Sequence, residues 1–70
     1  MSEWRNEVTF HKVTVEAETD LAILCMIPGF DADGIWIPKS QVSDNSEVHE
    51  MDTEGDLVIN QWIAEMKGLV

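Results

Sequence analysis

From Val8 to Ala17 apolar and polar residues alternate, the pattern of a half-buried strand. The apolar parity switches within it: Val8 and Phe10 are even, whereas Val13, Val15 and Ala17 are odd. Successive strand side chains point to opposite faces, so the switch predicts a bulge near His11-Lys12. After a polar corner at Glu18-Thr19-Asp20, the run Leu21–Ile27 is apolar without alternation, as in a central strand covered on both faces. Its second face must meet the C-terminal helix or a second copy of the chain, so a homodimer is one expected solution. Pro28–Gly34 reads as a turn. Ile35-Trp36-Ile37 reads as a third strand edged by Pro38, which cannot donate to a ladder.

Gln41–Ser46 is expected to be a loop, Glu47–Met51 a short fourth strand, and Thr53-Glu54-Gly55-Asp56 a turn into a fifth strand, Leu57-Val58-Ile59. Asn60 has the side chain of an N-cap for a helix over Gln61–Lys67, and Gly68 that of its C′ residue. Trp62, Ile63 and Met66 are expected on the helix's packed face, with Glu65 in water. No repeat or linker divides the sequence. The fold class is therefore α+β: a single domain over residues 1–70. It is expected to be a small antiparallel β-meander or partly open barrel of four to five strands, with one short C-terminal helix.

Charge changes this picture most. Fourteen acids oppose four bases in 70 residues, a formal net charge of -10. Arg5, Lys12, Lys39 and Lys67 stand singly, so the chain cannot supply the cationic footprint that direct nucleic-acid binding needs. Attraction to an anionic membrane surface fails for the same reason. The longest apolar run has seven residues, Leu21–Ile27, against the roughly 20 that span a bilayer. No signal-peptide pattern opens the sequence at Met1-Ser2-Glu3-Trp4-Arg5, and a cytoplasmic location is expected. A chain of this size buries only about 60% of its unfolded surface, so its core is thin. The single cysteine, Cys25, cannot form an intrachain disulfide and reads as an ordinary buried thiol.

Catalysis is not expected, nor is a cofactor or metal. Asp31-Ala32-Asp33-Gly34 opens like a calcium loop, but Ile35 and Val42 would then fall where oxygen ligands are required. His11 and His49 lack ligand spacing, and Ser40, Ser43 and Ser46 lack a nucleophile context. The acids offer a binding hypothesis instead. Glu16, Glu18 and Asp20 alternate, as do Glu50, Asp52, Glu54 and Asp56, with Glu47 just before. In extended chain such residues project about 6.5 Å apart, twice the strand rise. Such a row resembles nucleic-acid charge spacing and suits a protein partner with a basic surface. The turn around Gly55 would interrupt the second row, and a solvated acidic face is the plainer account. Among three tryptophans, Trp36 points outward if Ile35 and Ile37 face the core, where Trp62 could cover it or a partner could use it as an anchor; simple core packing of the tryptophans is the plainer account.

Three segments carry a resemblance: Glu18-Thr19-Asp20-Leu21-Ala22-Ile23-Leu24, Ile35-Trp36-Ile37-Pro38-Lys39-Ser40-Gln41-Val42 and Trp62-Ile63-Ala64-Glu65-Met66-Lys67-Gly68-Leu69. Together they resemble small phage and prophage proteins that share a Trp-Ile-Pro-Lys-Ser-Gln box and a closing Trp-Leu/Ile-Ala-x-x-Lys-Gly-Leu helix. The likeness spans about two thirds of the chain and brings no catalytic residues. It implies a phage protein in a bacterial cytoplasm, with Asp44–Asp56 as an acidic insertion. By analogy of class it implies an inhibitor of host nucleic-acid-binding machinery, such as CRISPR or restriction complexes. The alternative is an accessory or scaffold domain of phage replication or assembly.

Overall fold

The computed structural model describes residues 6–30 and 32–70. Met1–Arg5, with Trp4 and Arg5, and Asp31 of the expected turn and calcium-like motif lie outside the described residues. Four antiparallel strands form one sheet: β1 (Glu7–Glu18), β2 (Ala22–Met26), β3 (Ile35–Pro38) and β4 (Glu54–Asn60). A 3₁₀ turn, Lys39–Gln41, follows β3, and one helix, α1 (Gln61–Met66), follows β4. The strand order is β3-β2-β1-β4. Three consecutive strands therefore form the expected meander, but the fourth returns by a long connection to lie beside the first. That is Greek-key order in an open sheet, neither a simple meander nor a barrel.

The parity switch in β1 is a bulge. Register shifts between Phe10 and Val13, and Lys12 adopts φ 60, the left-handed conformation that lets one extra residue fit. Val8 and Phe10 can then share a face with Val13 and Val15. A second shift, between Val15 and Ala17, had no apolar signature. It sets Ala17 opposite Leu24, off the core face on which the simple odd-residue pattern had placed it.

The core lies on one side of the sheet. Val13, Val15, Ile23, Cys25, Ile37, Leu57 and Ile59 are fully buried there, closed by Ile63, Ala64 and Leu69 at the C-terminus and by Val48 from the long connection. The buried face of α1 is thus Ile63-Ala64, and Trp62 and Met66 stay exposed, contrary to the expected face. A six-residue helix makes under two turns, so its apolar period is too short to fix orientation. The caps are as expected. The Asn60 side chain accepts from Trp62 N–H at 3.0 Å. The helix ends with Gly68 N–H donating to the Glu65 carbonyl and Leu69 N–H to that of Ala64, with Gly68 at φ 73.

Glu47–Met51 is not a strand, so among the described residues the sheet has four strands and not five. This segment closes the outer edge of β4 partly with side chains. Val42 bridges to Ile59, and Ser43 N–H donates to the Val58 carbonyl at 2.8 Å. Glu47 N–H donates to the Asp56 carbonyl at 2.8 Å, while a Glu47 carboxylate oxygen accepts from Asp56 N–H at 2.8 Å. Only glycine fits beside this clasp, because a Cβ on Gly55 would stand 2.5 Å from that oxygen. Gly55→Ala is expected to loosen the edge and lower stability by about 1–3 kcal/mol, from displaced hydrogen bonds and a strained φ of 153. A urea midpoint equal to that of the parent would contradict this account.

Candidate binding face

Pairing and alternation sort the side chains of the face opposite the core. On β2 and β3 they are Ala22, Leu24, Met26, Trp36 and Pro38, joined by Ala17 from β1. On β1 and β4 they are Thr9, Thr14, Glu54, Asp56 and the buried Val58, with His11 and Lys12 at the bulge. One half of this face is apolar and the other is acidic. Trp36 points outward as its flanking isoleucines require and is 42% exposed. Gly34 packs against the apolar half: its φ is 88, and a Cβ there would meet Met26 Sδ at 2.7 Å and Leu24 Cδ1 at 2.8 Å.

The helix does not cover this face. It packs on β4 and β1 from the core side, leaving Leu24 and Met26 half-buried and both Trp36 and Trp62 exposed. The expected cover of Trp36 by Trp62 is therefore absent. Of the two solutions for the second face of β2, the helix is eliminated.

The acidic candidates divide by environment. Glu16 is the exposed, unpaired residue of the second bulge, and Glu54 and Asp56 alternate on β4 with Gly55 between them. Glu50 and Asp52 sit in the turn leading into β4, where Asp52 has φ 68, so they do not extend that row. The turn is tied to β1 by Asp52 N–H to the Val15 carbonyl and by Val15 N–H to the Thr53 carbonyl, both 2.9 Å. Asp20 lies in the β1–β2 corner, beyond the strand. Neither carboxylate row is a continuous ladder, because a bulge interrupts one and a turn the other.

Two candidates are engaged within the fold. Glu47 holds the β4 edge, as described. Glu18 stands opposite Ile23, accepts from Lys39 Nζ at 2.5 Å and from Met51 N–H at 3.2 Å, and so ties β3's end to the acidic turn. The Lys39 hydrogen bond, then the Met51 N–H, hold its carboxyl below the usual glutamate range. A folded-state pKa below the unfolded one stabilises the fold above the unfolded value, and that contribution disappears as pH falls through the folded pKa. Glu18→Gln should therefore flatten the acid limb of the stability–pH curve below about pH 4.5. An unchanged acid limb in urea titrations would refute the assignment.

Asp56 accepts from, or pairs with, His11 Nδ1 at 2.8 Å in an exposed contact. His49 is exposed in the long connection. Among the described residues no three His, Cys, Asp or Glu side chains gather as a metal site. Burial pushes the Cys25 thiol up to about 12, so a thiol reagent near neutral pH should modify it only on unfolding. Rapid native labelling would contradict that. A polar hollow of about 530 Å³ is lined by Glu7, Lys39, Ser40, Val42, Ser43, Asp44 and Asn45. Glu7 is already bonded there to Ser43 Oγ at 2.6 Å and to Asn45 Nδ2 at 3.4 Å.

Sequence reasoning missed Ser46. Its buried hydroxyl donates to the Val48 carbonyl at 2.9 Å and accepts from Val58 N–H at 3.1 Å and Val48 N–H at 3.3 Å. Nothing in an Asn-Ser-Glu stretch announces such a role. Among the described residues no helix is long and apolar enough to cross a membrane. No protein family, curated protein or solved structure matched the chain.

Proposed function

We propose that this chain is an acidic binding protein whose outer sheet face engages a protein with a basic surface. The observation that carries the reading is the division of that face into an apolar half around Trp36 and an acidic half around Glu54 and Asp56, with Glu16 exposed at the neighbouring bulge of β1. Opposite charge steers the encounter, and a tryptophan closed off from water supplies the short-range grip. Glu50 and Asp52 add charge beside the acidic half, and Asp20 adds it at the corner between β1 and β2. Glu18 and Glu47 contribute to the field while fixing the backbone that presents it.

The resemblance to small phage proteins supplies the setting. In a bacterial cytoplasm the basic surface is that of a host nucleic-acid-binding defence complex, of the CRISPR or restriction kind. The chain inhibits it by occupying the groove that holds nucleic acid. Support comes from the charge, not from a regular phosphate-like ladder. The test is a gel-shift assay with such a complex and its DNA, run at low salt and near 0.5 M, where the Debye length is about 4 Å. DNA release by the chain at low salt, lost at high salt, is the expected result. Continued DNA binding at saturating concentrations of the chain would defeat the inhibitory reading.

The apolar half supports a second reading, an accessory or scaffold domain of phage replication or assembly. In that case binding survives high salt and fails on Trp36→Ala.

A further inference from the structure

The two edges of the sheet differ. The edge of β4 is closed by Val42, Ser43 and Glu47, whereas β3 is bounded by β2 on one side only in the sheet order. The direction of β3's backbone groups follows from one bond. Lys39 N–H donates to the Leu21 carbonyl at 2.8 Å, and these two residues stand directly opposite in the register that pairs Ala22 with Pro38 and Ile23 with Ile37. Bonded and non-bonded pairs alternate along an antiparallel ladder. Ile37 and Ile35 therefore face their backbone groups to β2. Trp36 turns its N–H and C=O to the open edge, and Pro38 its C=O.

We infer that β3 pairs with β3 of a second copy, antiparallel about a two-fold axis at Trp36, to make one continuous sheet. This rests on the edge geometry and stands apart from the basic-partner reading. In that register each Trp36 N–H donates to the Trp36 carbonyl of the other copy. Ile35 faces Ile37 of the other copy on the core side. β3 itself contains no acid, although each chain carries a charge of -10. The acidic halves begin two strands away, so β1 of one copy is about five strand spacings, ~24 Å, from β1 of the other. That is well beyond the Debye length of about 8 Å at physiological salt.

The contact suits a specific pair better than open-ended aggregation. Only four residues form β3, and Pro38 offers no donor, so registers displaced toward it lose a bond. The two indoles would lie side by side on the outer face, about 5.5 Å apart at their Cα atoms. Leu24 and Met26 of each copy would flank them. The apolar halves would then merge at the centre of the dimer, with carboxylates at both outer flanks.

Sedimentation of the full chain, combined with NMR amide exchange, tests this. A dimer in which Trp36 N–H becomes protected as concentration rises is the expected result. Trp36→Pro removes an outward donor and no bond to β2, so it should weaken dimerisation at least about tenfold, a change of ~1.4 kcal/mol. A chain that remains monomeric at millimolar concentration overturns the inference. So does a dimer whose Trp36 amide exchanges as fast as in the monomer, a readout that needs no variant to fold.

Discussion

Reversing Glu16, Glu54 and Asp56 together to lysine should weaken binding to the basic partner by at least about 100-fold at low salt, some 2.7 kcal/mol. Glu54 and Asp56 share the face that carries Trp36 and Glu16 is exposed at the adjoining bulge of β1, so reversal replaces attraction with repulsion at the surface being docked. The loss should be largest in association rate and should shrink as salt rises, since steering is long-range and screened. The fold should survive. Of the three, Asp56 has a contact to lose, with His11, and exposed pairs of that kind contribute roughly 0–1 kcal/mol. A control reversing Asp20 alone should have a smaller effect, because it lies in the corner beyond β1. Kinetics by biolayer interferometry, with melting curves alongside, would check this. An unchanged association rate in a folded triple variant would remove charge steering from the account.

Ser46→Ala should destabilise the protein by about 2–4 kcal/mol, because it leaves the buried Val58 and Val48 N–H groups without their acceptor, each costing roughly 1–3 kcal/mol. A 70-residue chain at about 0.05–0.15 kcal/mol per residue has a total stability near 4–10 kcal/mol, so this is a large fraction of it. The melting temperature should fall by roughly 10–25 °C, given 4–8 °C per kcal/mol for domains of this size. Ser40→Ala is the control: Ser40 is exposed, and its loss should stay within about 0.5 kcal/mol. The comparison is made by urea denaturation of both variants. If Ser46→Ala unfolds with the parent's midpoint, the hydroxyl is not what holds the connection to β4.

These two residue sets mark where the sequence could be read and where it could not. The carboxylates were visible as charge, but their faces were not. Glu16 and Glu18 look like neighbours in one row until the second bulge places Ala17 opposite Leu24 and turns Glu18 toward Ile23. That bulge leaves no trace in the hydrophobic pattern, because Ala17 suits either face. Ser46 and Glu47 were invisible as structural groups for a related reason. Side chains substitute there for backbone partners, and a polar loop residue that does so has the same composition as one that does not.

The local features were decided by the sequence itself. The bulge at Lys12 follows from the parity of five apolar residues, because strand geometry allows only two faces. The ends of α1 follow from Asn60 and Gly68, whose side chain and conformational freedom satisfy the terminal N–H and C=O groups. Trp36 turns outward because Ile35 and Ile37 must turn inward. The tertiary structure decided the rest. It set the fourth strand beside the first, it brought Glu54 and Asp56 to the same face as Trp36, and it left the helix on the core side. Each depends on contacts between residues distant along the chain, whose relative positions short-range periodicity and turn chemistry do not encode.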